Sequence, residues 1–146
     1  MAPRYGQDRR MIRPIMRSEV FLAIPSAPAT REDAAVAQDL LDTLAAHAHE
    51  CVGMAANMIG VAKRIIVFDD AGLHRIMYNP RITAKSQPFD AEEGCLSLPG
   101  RRAVKRFGRI RVDYLDAGFE SRSEWFSGWT AQIIQHEIDH CDGIVI

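Results

Sequence analysis

The segment QHEIDHCDGIVI, residues 135–146, contains His136, Glu137 and His140 in the spacing His-Glu-x-x-His. On a helix, residues four apart lie on one face about one turn apart, so the two histidines can converge on one cation. Glu137, about 100° around the helix, would lean over the open side of that cation. The spacing therefore predicts a metal-binding centre.

The residues before this motif indicate that it lies on a helix. Trp129, Ile133 and His136 follow one another at steps of four and three, which puts the histidines on the buried face. Buried imidazoles need partners for their nitrogens, and a metal ion is one such partner. We predict a helix from about 128 to 142, ended by Gly143 in a left-handed cap.

A catalytic metal site usually has three protein ligands, so one is still missing. In many zinc peptidases it follows the helix as a histidine or glutamate, but residues 141–146 contain neither, and we expect it upstream. The candidates are Cys51, Cys95, His47, His49 and His74, with Cys141 adjacent to the motif. Cys95 is favoured, because EEGCLSLPG, residues 92–100, is a small-residue segment suited to hold a thiolate and a backbone N–H in a fixed extended shape.

The rest of the chain predicts an α+β fold. Thr30 followed by acidic residues is typical of a helix start, and apolar residues recur at helical spacing over about 30–49. CVGMAANMIG, residues 51–60, is typical of a tight loop. Strands are predicted at 64–69, 75–79, 81–86, 109–116 and 121–126. This order indicates mostly antiparallel sheets packed around a C-terminal metal-binding helix, plus an N-terminal helix.

The composition is that of one soluble domain, which we assign to residues 11–146, with residues 1–10 as a flexible extension. A formal net charge of −1 gives no reason to expect nucleic acid or an anionic membrane as a direct partner. No apolar run approaches the roughly 20 residues of a membrane helix. Three unpaired-looking cysteines without a secretory signal indicate a reducing compartment, so a cytoplasmic protein is expected.

Three segments together resemble the peptide deformylase family. They are CVGMAANMIG at 51–60, EGCLSLPG at 93–100 and QHEIDHCDG at 135–143, and their order and separations agree with the family pattern. The similarity runs from about Met11 to the end and includes YNP at 78–80. The resemblance implies a peptide deformylase-like fold and a hydrolase that removes the N-terminal formyl group from new polypeptides beginning with formyl-methionine, an N-terminal processing step of protein biosynthesis.

The resemblance also implies the metal and the partner. Cys95, His136 and His140 would bind one divalent ion, typically Fe2+, with Zn2+ or Ni2+ as substitutes; ligand chemistry alone suggests zinc. The partner would be an N-formylmethionyl peptide or nascent chain, met at the ribosome. Glu137 would act as general base and then general acid, and the Leu96 N–H would donate to the oxyanion.

The substrate pocket follows from motif position and helix phase. Glu93 is expected to fix the loop or the pocket, with a plain turn carboxylate as the alternative. Arg102 matches an arginine that contacts the peptide in the family, with a solvated surface arginine as the alternative. The residues expected to surround the methionine side chain are Val52, Gly53, Trp129 and Ile133.

Three positions depart from the family pattern. Met58 stands where the family has a glutamine that donates to the oxyanion, and a thioether has no hydrogen to donate. Losing one such donor typically costs roughly 2.7 to 4 kcal/mol, or about 100- to 1000-fold in turnover. Cys51 replaces a glycine, and Gln132 stands in place of an apolar residue. We hypothesise that Gln132 supplies a compensating polar group.

These departures leave two functional interpretations. The first is a working metallohydrolase that deformylates peptides, and the intact Glu137 favours it, because a pure binding site needs no base beside the metal. The second is a metal-bound module that recognises N-terminal peptides or another small ligand with little or no turnover, and Met58 favours it.

Overall fold

The computed structural model describes residues 11–146, so the extension predicted at residues 1–10 lies outside the described part. The helices are α1 (Glu19–Leu22), α2 (Ala34–Ala46) and α3 (Gly128–Cys141), with 3-10 turns at Arg31–Asp33 and Ala56–Ile59. The strands are β1 (Gly53–Ala55), β2 (Ile65–Asp70), β3 (Leu73–Gly94), β4 (Arg101–Leu115) and β5 (Ser121–Ser127).

The five strands form one antiparallel sheet in the order of the sequence, β1 to β5. Helices α2 and α3 pack against opposite faces of it, and the alternation along β2 shows why. Ile66 and Phe68 join a core cluster that includes residues of α3, whereas Ile65 and Val67 join one that includes residues of α2. Side chains of a strand point alternately to the two faces, so β2 is buried on both. The predicted α+β class is confirmed.

Both predicted helices are present, with small differences at their ends. Thr30 starts the first as predicted: its hydroxyl accepts from the Glu32 N–H at 3.3 Å, and the Asp33 carboxylate accepts from the Thr30 N–H at 2.8 Å. The helix leaves α geometry after Ala46, earlier than the predicted residue 49, because His47 has already left helical dihedral angles. Gly143 follows α3 with φ of 75°, as expected for a left-handed cap.

Strands β3 and β4 are much longer than the sequence pattern predicted. The segments predicted at 75–79 and 81–86 belong to one strand, β3, because pairing with β4 resumes after a register shift between Tyr78 and Arg81. The far arms of β3 and β4 pair only with each other, and much of their length is polar and exposed, so they lack a simple apolar alternation. Part of the predicted tight loop at 51–60 is strand β1, which is buried along its whole length.

The long β3–β4 hairpin carries Cys95 in its loop and contacts helix α3. Its ladder closes at the pair Gly94–Arg101, so residues 95–100 form the hairpin loop, and Arg106 of β4 reaches Asp139 of α3. Among residues 11–146, no helix is both long and apolar enough to cross a membrane.

Candidate active site

The hairpin loop and α3 bring three potential metal ligands together. The Cys95 Sγ lies 3.3 Å from the His140 Nε2, which lies 3.2 Å from the His136 Nε2. The ligand atoms of the three residues are all within 4.8 Å of one another. Zinc–nitrogen and zinc–sulfur bonds of about 2.0–2.3 Å would put tetrahedral ligands roughly 3.3–3.7 Å apart, so the set fits one divalent ion. The other candidate cysteines and histidines do not join this group within residues 11–146.

Glu93 holds the first histidine in this orientation. Its Oε1 lies 2.8 Å from the His136 Nδ1, which leaves the Nε2 facing the ligand cluster. The guanidinium of Arg106 donates to both carboxylate oxygens, at 2.9 and 2.7 Å, and the Gln132 Nε2 donates to Oε2 at 2.8 Å. Burial acts to raise the pKa of Glu93, but these hydrogen bonds outweigh it and lower the pKa to about 2. Glu93 therefore stays charged and lies where a carboxylate partner of a metal-binding histidine is usually found.

Arg106 was not singled out in the sequence, although it joins the two halves of the site. It is 4% exposed and also donates to the Asp139 carboxylate at 2.7 Å. Burial acts to lower its pKa, but the hydrogen bonds to Glu93 and Asp139 raise it. One arginine of the hairpin thus fixes both Glu93 and the face of α3 that carries the motif.

The two histidines have opposite tendencies to take up a proton. Burial acts to lower the pKa of His136, but hydrogen bonds to Cys95 and Glu93 raise it to about 10. Burial lowers the pKa of His140 to about 3, helped by the positive charges of His136 and Arg106. Metal ligation requires neutral imidazoles, so an ion that enters this site displaces a proton from His136.

Glu137 is buried against β1, next to the ligand cluster. A Cβ atom added at Gly53 would lie 2.9 Å from the Glu137 Oε2 and 2.8 Å from the Ile133 Cγ2, so only glycine allows this approach. The other carboxylate oxygen, Oε1, is buried without a hydrogen-bond partner among residues 11–146. Burial, the largest cause, raises the pKa of Glu137 to about 7. A carboxyl group of this kind can take up and release a proton near neutral pH.

Two further predicted site residues lie beside the ligands. The Leu96 carbonyl accepts from the Arg17 Nη1 at 3.0 Å, which anchors the loop. The Leu96 N–H makes no backbone hydrogen bond within residues 11–146. Met58 is 1% exposed, and its Sδ lies 3.5 Å from the Ala55 N–H. The thioether thus offers the site no hydrogen-bond donor.

A cavity of about 1080 Å³ opens onto these groups. Trp129 is 61% exposed and lies at its mouth. Arg102 does not line it; Arg101 does, and donates to the Glu92 carbonyl at 2.6 Å. Arg102 pairs with Glu93 across the hairpin and has a buried, unpartnered Nη1 among residues 11–146. The predicted substrate residues that do line the cavity are Val52, Gly53, Glu93, Trp129 and Ile133.

Known proteins are similar to this chain over nearly its whole length. The sequence model of the family described as "Polypeptide deformylase" matches residues 13–146. A protein of Clostridium beijerinckii named "Peptide deformylase" is 52% identical over 136 residues, which cover 93% of this chain and 100% of that protein.

Solved structures agree with the sequence matches. A class I type b peptide deformylase from Acinetobacter baumannii with bound Met-Ala-Ser has a TM-score of 0.83 at 29% identity, covering 92% of this chain and 97% of that chain. The peptide deformylase of Thermotoga maritima has a TM-score of 0.83 at 28% identity, covering 94% and 95%. This chain therefore belongs to the peptide deformylase family of metal-dependent hydrolases.

Proposed function

We propose that this protein removes the formyl group from formylmethionyl polypeptides with one divalent ion held by Cys95, His136 and His140. The observation that carries the proposal is the buried carboxyl group of Glu137, with a pKa near 7, beside three converging metal donors at a solvent-open cavity. The ion, which we propose to be Fe2+ with Zn2+ or Ni2+ as substitutes, would supply Lewis acidity that activates water and polarises the formyl carbonyl.

Glu137 moves the proton in this reaction. Its carboxylate accepts a proton from the attacking water as the new C–O bond forms at the formyl carbon. The same carboxyl group then gives that proton to the departing nitrogen as the C–N bond breaks, which yields formate and a free amino terminus. Gly53 leaves room for this carboxylate next to the peptide.

The Leu96 N–H stabilises the negative charge that develops on the formyl oxygen. Arg17, bound to the Leu96 carbonyl, anchors the next peptide group of the same loop. Met58 adds no donor, so we expect turnover below that of a site with glutamine there. Met58 also favours a second candidate: a metal-bound module that binds N-terminal peptides with little turnover. Its buried thioether has no hydrogen to donate, and the family pattern has a glutamine at this position.

The substrate's methionine side chain would lie against the apolar part of the cavity, formed by Val52, Trp129 and Ile133. Glu93 supports the wall of this pocket through His136 and Gln132. Arg102 does not line the cavity in this structure. We propose that it contacts the peptide beyond its methionine residue after a change of conformation. Residues 11–146 would act as one domain in the cytoplasm, on nascent chains at the ribosome, with no direct contact to nucleic acid or membrane.

A turnover assay tests the proposal. The protein is loaded anaerobically with Fe2+, or with Ni2+, and amine release from a formyl-methionyl peptide is measured, with Glu137→Ala as the blank. We expect release well above the blank. Equal rates in the two proteins would contradict the enzyme for this substrate and favour the binding module.

Met58→Gln tests the missing donor in the same assay. Because one oxyanion donor is typically worth about 100- to 1000-fold in turnover, we expect a gain in kcat approaching that range. An unchanged kcat would mean that the glutamine does not reach the oxyanion and that Met58 is not the limiting residue.

A further inference from the structure

Three buried polar atoms around the C-terminal turn of α3 have no hydrogen-bond partner among residues 11–146. They are the Asn57 Oδ1, the His140 Nδ1 and the Ser26 Oγ. The three residues are only 1%, 0% and 8% exposed. Buried polar groups in folded proteins are nearly always hydrogen-bonded, and each one left unpaired costs about 1–3 kcal/mol.

Asn57 and Ser26 are both attached to this turn through other atoms. The Asn57 Nδ2 donates to the His140 carbonyl at 2.9 Å, and the Ser26 N–H donates to the Cys141 carbonyl at 2.8 Å. The unpaired oxygens of both side chains thus belong to residues that hold consecutive carbonyl groups of α3. A Cβ atom at Gly143 would lie 2.6 Å from the Ala23 carbonyl oxygen, so the chain before Ser26 packs closely on this end of the helix.

The ligand geometry determines what the His140 Nδ1 requires. The His140 Nε2 faces Cys95 and His136 and is therefore the metal-binding atom. A neutral imidazole that binds through Nε2 carries its proton on Nδ1, which makes Nδ1 a donor. Metal-binding histidines almost always give this proton to a carboxylate, a carbonyl oxygen or a water. His136 gives it to Glu93, whereas His140 has no such acceptor within residues 11–146.

We propose that Asn57 is a positioning residue for His140. Its amide nitrogen fixes the His140 backbone, and its carbonyl oxygen receives the His140 Nδ1–H through one buried water that the Ser26 hydroxyl also binds. Three polar partners are what a buried water typically has. The inference rests on the proposed function, since it assigns a role at the proposed metal site. Two neighbouring residues of the segment at 51–60 then have different roles. Met58 offers the substrate no hydrogen-bond donor, whereas Asn57 supports the metal ligand His140.

Metal affinity of the full chain tests this without substrate. Asn57→Leu keeps a side chain of similar size and removes both polar atoms. Since partners of metal-binding histidines are typically worth 10- to 100-fold in metal affinity, we expect Zn2+ binding, measured by competition with a chelator, to weaken by about that factor. Asn57→Asp keeps an acceptor and is expected to lose less, and Ser26→Ala, which removes one water partner, is also expected to lose less than Asn57→Leu. The Co2+-loaded Asn57→Leu protein should show an altered visible absorption spectrum.

Asn79→Ala is the matched control. The Asn79 amide also bridges backbone groups, those of Ala29 at 2.7 and 3.1 Å, but does not contact a metal ligand. We expect this variant to lose stability and keep the parent's Zn2+ affinity. If Asn57→Leu kept it as well, the proposal would be overturned.

Proton NMR of the Zn2+-loaded parent gives a readout that needs no variant to fold. We expect two slowly exchanging imidazole N–H signals from the metal ligands, from His136 and from His140. Absence of the His140 signal would overturn the proposal. Because both measurements omit the formyl peptide, an inactive parent would count against the proposed function while leaving this inference standing.

Discussion

Two arginines on the α3 side of the sheet bind similar partners at very different degrees of burial. Arg106 is 4% exposed and bridges two carboxylates, those of Glu93 and Asp139. Arg75 also bridges two carboxylates, those of Asp70 and Glu124, but its side chain is 24% exposed. Similar ion pairs are therefore buried around Arg106 and partly exposed around Arg75.

The difference lies in what else each cluster contacts. Glu93 is hydrogen-bonded to His136, so the Arg106 cluster supports one of the three proposed metal ligands. The Arg75 guanidinium instead lies over the rings of Phe68 and Phe126, at 5.5 and 5.4 Å, where it covers the end of a core cluster. Solvent screens the surface pairs, so we expect the Arg75 cluster to add modest stability and the Arg106 cluster to control both stability and the site.

The largest effect is expected from Arg106→Leu. Removing this cation leaves two buried or half-buried carboxylates without their partner, and breaking a buried pair typically costs about 3–5 kcal/mol. The free energy of unfolding of the metal-free protein, measured in urea, should fall by that amount. Zn2+ affinity should fall with it, because Glu93 would no longer be held against His136.

Arg75→Leu is the matched substitution in the other cluster. We expect the free energy of unfolding to fall by about 1 kcal/mol, since the ion pairs of Arg75 are partly exposed and its aromatic contacts are modest. Zn2+ affinity should stay unchanged. Equal losses from the two substitutions would remove the distinction between the clusters.

The second largest effect is expected in how the free energy of unfolding depends on pH through Glu93. The Glu93 pKa of about 2 lies below the unfolded value of about 4.3, so its stabilisation is complete above pH 4.3 and is lost as pH falls towards 2. The shift corresponds to roughly 3 kcal/mol. In Glu124, hydrogen bonds from Arg75, the largest cause, also lower the pKa, but the side chain is 42% exposed and screening should keep its contribution below about 1 kcal/mol.

Urea unfolding of the metal-free protein between pH 7 and pH 3 measures this. The stability difference between parent and Glu93→Gln should shrink as the pH falls, whereas the difference for Glu124→Gln should be small throughout. A larger acid-dependent difference for Glu124 than for Glu93 would reverse the assignment of the two clusters.

Local patterns in the sequence predicted the parts of the site that depend on local geometry. The spacing of His136 and His140 determines their common face on any helix, and the Thr30 cap and the Gly143 stop need only neighbouring residues. The small-residue segment around Cys95, read together with the family resemblance, predicted the third ligand. The α+β class followed from the order of helical and strand patterns.

The register of the long hairpin was beyond these patterns. Whether Arg106 meets Glu93 depends on how β3 pairs with β4, and the arms of that hairpin are too polar and exposed to show a simple alternation. In the observed register Glu93 pairs with Arg102, whereas its carboxylate binds Arg106 four residues further along β4. The buried role of Arg106 thus required the folded structure.

Gln132→Leu sharpens the comparison within the buried cluster. The Gln132 Nε2 donates to Glu93, and hydrogen bonds to charged groups contribute about 1.5–3 kcal/mol to stability. We expect the free energy of unfolding to fall by an amount near the lower value, because Arg106 and His136 still hold the carboxylate. Turnover on a formyl-methionyl peptide at saturating metal should stay close to that of the parent. A strong fall would support the hypothesis that Gln132 compensates for Met58 at the oxyanion.

The smallest effect is expected from Tyr114→Phe in the surface cluster. The hydroxyl accepts from the Arg75 Nη2 at 2.9 Å and donates to the Glu124 Oε1 at 2.8 Å. Phenylalanine keeps the buried ring, and Arg75 still bonds Glu124 directly at 2.8 Å, so little is left unpaired. We expect a loss of about 0.5–1 kcal/mol in urea unfolding and, in a double-mutant cycle with Arg75→Leu, a coupling of about the same size. A coupling as large as the 3–5 kcal/mol expected for Arg106 would show that solvent exposure does not weaken this cluster.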